Sequence, residues 1–160
     1  MQAAFGLLIL TVIVNGAPVA ARHLLGGRLA TPIDLGLCLP DGRRLFGDSK
    51  TWRGVVAGIL AGILAAPLLE LDVSTGAEFG LLAMAGDLAS SLLKRRLGLP
   101  PSSQTLGLDQ IPESALPLWA TRADTGLPED QLWSLVALFI LTELFLSRLL
   151  FVAGIRKRPY

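Results

Sequence analysis

One cysteine, Cys38, and one histidine, His23, are all that the 160 residues contain. Disulfide frameworks and Cys/His zinc sites are excluded by that count, so any metal must be held by oxygen ligands. Charge is scarce as well. Asp, Glu, Lys and Arg make up 17% of the chain, against about 25% in an ordinary soluble domain. The 14 basic and 13 acidic side chains leave a formal net charge of +1. No global field exists to gather nucleic acid, which is not expected as a partner. What the chain has in surplus is apolar: 52% of residues are hydrophobic and the mean hydropathy is +0.58. So short a chain has too little interior to hide that surplus. The composition points to an all-α integral membrane protein, a single membrane-embedded domain over residues 1–160.

Four apolar runs carry the expectation further. Residues 1–21 hold no charged side chain, and a crossing helix needs about 20 such residues. No basic residue precedes this run, as a secretory signal would require. Residues 55–71, 77–93 and 132–155 form three more runs, each read as a span. Gly54, Gly58 and Gly62 recur at four-residue spacing, a small-residue stripe suited to close helix packing. Basic residues mark the cytoplasmic side. Residues 22–53 hold six Lys/Arg, and Lys94, Arg95 and Arg96 follow the third run. Both segments are expected on the cytoplasm, with a cytoplasmic loop between helices 1 and 2. The tail Arg156, Lys157 and Arg158 joins them only if a further crossing lies at 106–121, where Asp109, Pro112, Glu113 and Pro117 interrupt the apolar pattern. About five transmembrane helices with an irregular fourth are favoured over four spans or a re-entrant segment. Irregular backbone at membrane depth survives where it is buried or lines a cavity, so this weak segment is itself a candidate site.

Several polar residues are costly where they stand. An intramembrane carboxylate such as Asp87 costs about 2.5–3.5 kcal/mol near the bilayer centre on insertion scales. Counting on from Asp87, Ser91 is at i+4, Lys94 at i+7 and Arg95 at i+8, so an acid, a hydroxyl and two cations share one helical face. Headgroup anchoring accounts for the cations and leaves Asp87 unexplained. Residues 41–54 interleave Asp41 and Asp48 with Arg43, Arg44, Lys50 and Arg53 and with the hydroxyls of Ser49 and Thr51. A solvated loop explains the bases and not the interleaved acids and hydroxyls. The spacing is not that of a P-loop. Asp109 and Gln110, close to Glu113, form a third polar element, and Asn15 with Gly16 and Pro18 a polar break late in helix 1. Acids in separated segments, each beside cations or amides, suit Mg²⁺ bridging polyphosphate oxygens. Such chemistry needs positioning and charge neutralisation more than a protein nucleophile.

The constellation resembles the CDP-archaeol synthase family, integral-membrane cytidylyltransferases related to CDP-diacylglycerol synthases. The matching stretches are Asn15, Gly16 and Pro18; Pro32, Ile33, Asp34 and Gly36; Asp41-Gly42-Arg43-Arg44-Leu45-Phe46-Gly47-Asp48-Ser49-Lys50-Thr51 with Arg53 and Gly54; Gly86 and Asp87 with Ser91, Lys94, Arg95 and Arg96; and Leu108-Asp109-Gln110. The resemblance implies an enzyme that transfers a cytidylyl group from CTP to an isoprenoid-ether glycerol phosphate with Mg²⁺, giving a CDP-activated lipid and pyrophosphate. It implies metal-binding acids at Asp87 and Asp109, with Glu113 a further candidate. Asp87, Asp109 and Lys94 would form the catalytic group. Asn15, Asp41, Asp48, Lys50, Thr51, Arg53, Ser91, Arg95 and Gln110 would bind CTP and the lipid phosphate. One departure stands out. The family pattern continues Asp-Gln-Leu-Asp, whereas here Pro112 replaces the second acid and Glu113 follows it. Expected partners are CTP, a lipid phosphate acceptor and membrane lipids, at the cell membrane with the active site on the cytoplasm; a homodimer is left open. The alternatives are the same chemistry on phosphatidic acid or another lipid phosphate, and a non-catalytic scaffold or small transporter.

Overall fold

The computed structural model describes residues 2–100, 103 and 105–154. Met1, Ile155 and the basic tail Arg156, Lys157 and Arg158 lie outside the described residues. The described chain is helical, with two isolated antiparallel bridges, Pro32 to Thr51 and Cys38 to Arg44, in the first loop. Its helices are α1 (Gln2–Leu25), α2 (Trp52–Ala65), α3 (Val73–Arg96), α4 (Gln110–Ala120), the single turn α5 (Arg122–Thr125) and α6 (Glu129–Val152). The end of α1, the start of α2, the end of α3, the start of α4 and the end of α6 all contribute side chains to one cavity. The five longer helices therefore run alternately up and down, and the site lies at one end of the bundle.

Among the described residues two helices, α1 over Ala4–Leu25 and α6 over Glu129–Val152, are long and apolar enough to cross a membrane. The helix α3 has the same 24-residue length but is diluted by Glu78, Asp87 and three terminal cations. The run at 55–71 is not one helix, contrary to the sequence expectation. Thr51 caps α2 at its start by accepting a hydrogen bond from the Gly54 amide at 3.2 Å. The helix stops after 14 residues at Ala65. Pro67 has no amide to continue the ladder, a 3-10 turn follows over Pro67–Leu69, and Glu70 takes a left-handed φ of 60°. At about 21 Å, α2 is shorter than the roughly 30 Å hydrocarbon core. The segment at 106–121 yields only the 11 residues of α4, and Thr121 separates it from α5. Around the bundle Leu60, Leu64, Leu81, Leu141 and Phe145 are exposed, an apolar girdle suited to lipid.

The core joins Leu7, Leu10 and Val14 of α1 to Phe79, Ala83 and Met84 of α3, Leu118 of α4, and Leu132, Leu135 and Val136 of α6. Small residues set the closest approaches. A methyl at Gly62 would collide with the Gly76 carbonyl oxygen of α3, and one at Gly58 with the Met84 side chain. A methyl at Gly86 would strike the backbone of Pro112, so α3 and α4 meet next to Asp87. The stripe thus serves packing, and that packing fixes the spacing of the helices that carry the acids. Replacing Gly62 with leucine should destabilise the protein by about 1–3 kcal/mol through overpacking, read as a lower unfolding temperature in detergent; an unchanged temperature would contradict the Gly62 to Gly76 contact.

Candidate active site

A cavity of about 990 Å³ opens at the shared end of the bundle. Its polar floor is built by three segments. From α3, Asp87, Ser91, Lys94 and Arg95 all line it, and Met84 and Leu88 lie on the same wall. The loop before α2 supplies Phe46, Ser49, Lys50 and Thr51, while Asp109, Gln110 and Glu113 come from the entry of α4. The remaining wall is mostly apolar, with Val12, Val19, Phe139, Leu146 and Leu150 among its residues; Asn15, Arg22, His23, Glu143 and Ser147 interrupt it.

Two ammonium–carboxylate pairs organise the floor. The Lys50 ammonium donates to both Asp87 oxygens, at 2.5 and 2.6 Å. Lys94 Nζ stands 2.6 Å from Asp109 Oδ1 and donates to the Ser103 carbonyl at 3.0 Å. The second Asp109 oxygen accepts from the Thr105 amide at 3.1 Å. The Lys94 and Asp109 side chains are only 8% and 19% exposed. Removing either partner would therefore leave a poorly solvated lone charge, costing about 3–5 kcal/mol where burial is complete. Gln110 is buried and accepts from the Gly107 amide at 2.9 Å, bracing the turn into α4. Glu113 is buried on the cavity wall. Asn15 lines the cavity while its amide donates to the Thr11 carbonyl at 3.0 Å.

Three residues named from the sequence do not line this cavity. Asp41 pairs with Arg96 at 2.5 Å. Asp48 pairs with Arg44 at 2.9 Å on the exposed side of the loop. Arg53 donates to the carbonyl oxygens of Gly26 and Arg28, bracing the start of the loop. These contacts shape the loop from outside the cavity.

The residue around which the loop folds is Asp34, to which the sequence pattern assigned no role. Its carboxylate, fully shielded from solvent, accepts from the Arg44 guanidinium, from the Phe46 and Gly47 amides at 3.0 and 2.9 Å, and from the Gly36 amide at 3.2 Å. Burial pushes this carboxyl up, but the Arg44 guanidinium and the three amides outweigh it and hold Asp34 well below the usual carboxylate range. Its position in a short stretch between Pro32 and Gly36 was the available signal. A loop has no period from which to infer the direction of a side chain.

Among the described residues no group of three or more His, Cys, Asp or Glu side chains converges into a ready-made metal cage. Mg²⁺ does not require one, because it commonly takes one or two carboxylates and completes its shell with substrate phosphates and water. Hard carboxylate oxygens from Asp87 on α3 and from Asp109 just before α4, facing one cavity, fit such an ion.

Comparison with known proteins finds a family model, related sequences and a related structure. The family model described as CarS-like, CDP-archaeol synthase, matches residues 7–149. A CDP-archaeol synthase of Pyrococcus furiosus is 42% identical over 117 residues, covering 67% of this chain and 66% of that protein. The matched part thus spans slightly less than two thirds of that relative. A CDP-archaeol synthase of Thermofilum pendens is 33% identical over 156 residues, covering 92% of this chain and 76% of the relative. A solved structure, of an intramembrane enzyme for archaeal membrane lipids biosynthesis, superposes with a TM-score of 0.78 at 34% identity, covering 90% of this chain and 92% of that one.

Asp34 supplies a pH test of the loop. A carboxyl depressed in the folded state contributes stability that is complete above its unfolded pKa, about 3.9, and is lost as pH falls toward the folded value. Asp34→Asn should lower stability by about 3 kcal/mol at pH 7. Thermal unfolding in detergent should show the same gap at pH 5 and a narrowing one below about pH 4; a gap that closes near neutrality would contradict the assignment.

Proposed function

The chain belongs to the CarS-like CDP-archaeol synthase family, membrane transferases of lipid biosynthesis, and from that premise we propose that it transfers a cytidylyl group from CTP to an isoprenoid-ether glycerol phosphate. The products are a CDP-activated lipid and pyrophosphate. The observation that carries this reading is the pairing of Lys50 with Asp87 and Lys94 with Asp109 on the floor of a cavity whose other wall is largely apolar. A nucleoside triphosphate needs the first surface and an isoprenoid chain the second.

Asp87 and Asp109 would hold Mg²⁺, with Glu113 a further carboxyl in the same cavity. When bound, the ion would supply charge neutralisation at the phosphate oxygens. The chain's own cations do the rest. As the triphosphate enters, the Lys50 and Lys94 ammonium groups exchange carboxylate oxygens for phosphate oxygens, and Arg95 adds a charge from the same helical face. Ser91, Thr51, Asn15 and Gln110 offer hydroxyl and amide contacts around them. An oxygen of the lipid phosphate attacks the α-phosphorus of CTP, a new P–O bond forms, and the bond from the α-phosphorus to the bridging oxygen breaks. The electron pair leaves with pyrophosphate. Near pH 7 a phosphate monoester is largely dianionic, with its second pKa about 6, so no protein base has to remove a proton.

Basic residues gather at the site end of the bundle, among them Arg22, Arg43, Arg44, Arg53 and Arg96, which supports an active site facing the cytoplasm across the cell membrane. In that orientation the chain crosses five times, with α4 and α5 as the irregular fourth passage. Asp87→Asn should cut incorporation of labelled CTP into lipid by about a hundredfold or more, with the protein still folded by its unfolding profile. Full activity in that variant would overturn the assignment. The acceptor is tested by offering the ether-lipid phosphate and phosphatidic acid in one assay: the proposal expects preference for the ether lipid, and equal or greater turnover of phosphatidic acid would redirect it.

A further inference from the structure

Two arginines that the chemistry above does not use hold the first loop against the end of α3. The Arg43 guanidinium donates from Nη1 to the Arg95 carbonyl at 3.3 Å and to the Arg96 carbonyl at 2.6 Å. The last-turn carbonyls of a helix lie beyond its regular ladder, the Arg95 carbonyl here also accepting from the Gly98 amide at 3.1 Å, and a cation there is favoured by the helix dipole. In return, Arg96 donates to Asp41 at 2.5 Å and to the carbonyls of Arg43 and Arg44 at 3.2 and 2.6 Å. Each arginine thus ends on the backbone that carries the other. Gly98 passes close to this contact at φ +75°, where a methyl would stand 3.1 Å from Arg43 Nη2.

The same loop touches α3 a second time through Lys50 and Asp87. Asp87 lies eight to nine residues before Arg95 and Arg96, about 12–14 Å along the helix axis. Between the two attachments the loop is braced internally: the Lys50 amide donates to the Gly47 carbonyl at 3.2 Å, and its carbonyl accepts from the Ile33 amide at 2.9 Å. The segment from Arg43 to Lys50 is therefore pinned at both ends to one helix. The geometry points to Arg43 as a positioning residue of the nucleotide site: from outside the cavity, it docks the loop on the last turn of α3 and so sets where the Lys50 ammonium stands. This inference rests on the reading of the cavity as the CTP site. Arg43 itself is absent from the cavity lining, so its removal acts on how CTP is held before it acts on the bond that breaks.

The test uses the full chain in detergent with Arg43→Ala and Arg43→Lys, read by steady-state kinetics and by hydrogen exchange. Arg43→Ala should raise the KM for CTP about tenfold, the scale of one charge-assisted hydrogen bond, with kcat within about threefold of the parent. Arg43→Lys keeps the charge but lacks the guanidinium fork and should fall between the two. Faster amide exchange should appear at residues 37–50 and 95–99. Unchanged KM with unchanged exchange would overturn the inference. So would a fall in kcat alone, which would mean direct participation, or a loss of folded protein with normal KM in what remains, which would mean a purely structural role. If Arg43→Ala does not fold, Arg43→Lys decides between the same outcomes. If the parent turns over no CTP, the proposed function fails, while the exchange arm still reports whether Arg43 docks the loop.

Discussion

A carboxylate held in an apolar bundle must find a cation, and this requirement organises the functional end of the molecule. Asp87 sits in a helix that packs through glycines against its neighbours, and Lys50 meets it from a loop 37 residues earlier in the chain. A lone charge at that depth would cost more than most single packing contacts return. The loop therefore has to fold back over the end of α3. Its internal structure follows from that demand: Asp34 gathers Arg44 and the backbone amides of Phe46 and Gly47, and Thr51 then begins α2. The second pair, Lys94 with Asp109, does the same for the start of α4. Loop, helix ends and cavity are parts of one electrostatic arrangement.

How much of this was legible in the sequence depended on whether a period was available. The helical repeat placed Asp87, Ser91, Lys94 and Arg95 on one face, and all four line the cavity. The Gly54, Gly58 and Gly62 stripe announced close packing, and Gly58 and Gly62 do face α3. Pairings across long stretches of chain were not legible. Nothing local joins Lys50 to Asp87, Arg43 to the carbonyls of Arg95 and Arg96, or Asp41 to Arg96. The loop's acids looked alike in the sequence, yet Asp34 is buried and Asp41 and Asp48 face outward. The extent of α2 was misread because apolar composition continues through Pro67 while hydrogen-bonding capacity does not.

The paired state also has consequences for ligand entry. Each lysine is held at a carboxylate that a divalent ion would seek, so on the proposed function cation and nucleotide binding would favour one another. Asp87 and Asp109 would give up their lysines to hold the ion, and the Lys50 and Lys94 ammonium groups would then be free to neutralise phosphate oxygens. Neither substitution is favourable alone, because it would leave one charge in the cavity without its partner. An end of the bundle balanced in this way would accept an anion together with its counter-ion.

The departure at Pro112 can be understood in the same terms. In a helix interior a proline deletes a hydrogen bond and clashes with the preceding turn, but amides of the first turn have no intrahelical acceptor to lose. Pro112 stands at the third residue of α4, where it costs little. Its carbonyl lies where a side chain on Gly86 would have to go, so the absence of a β-carbon on α3 lets α4 settle directly against the turn that bears Asp87. That contact carries Glu113, the next residue, onto the cavity wall with Asp87 and Asp109. Where the pattern it resembles carries an acid, this chain has a proline followed by an acid. The close approach at Gly86 brings the Glu113 carboxyl to the cavity that Asp87 and Asp109 also line.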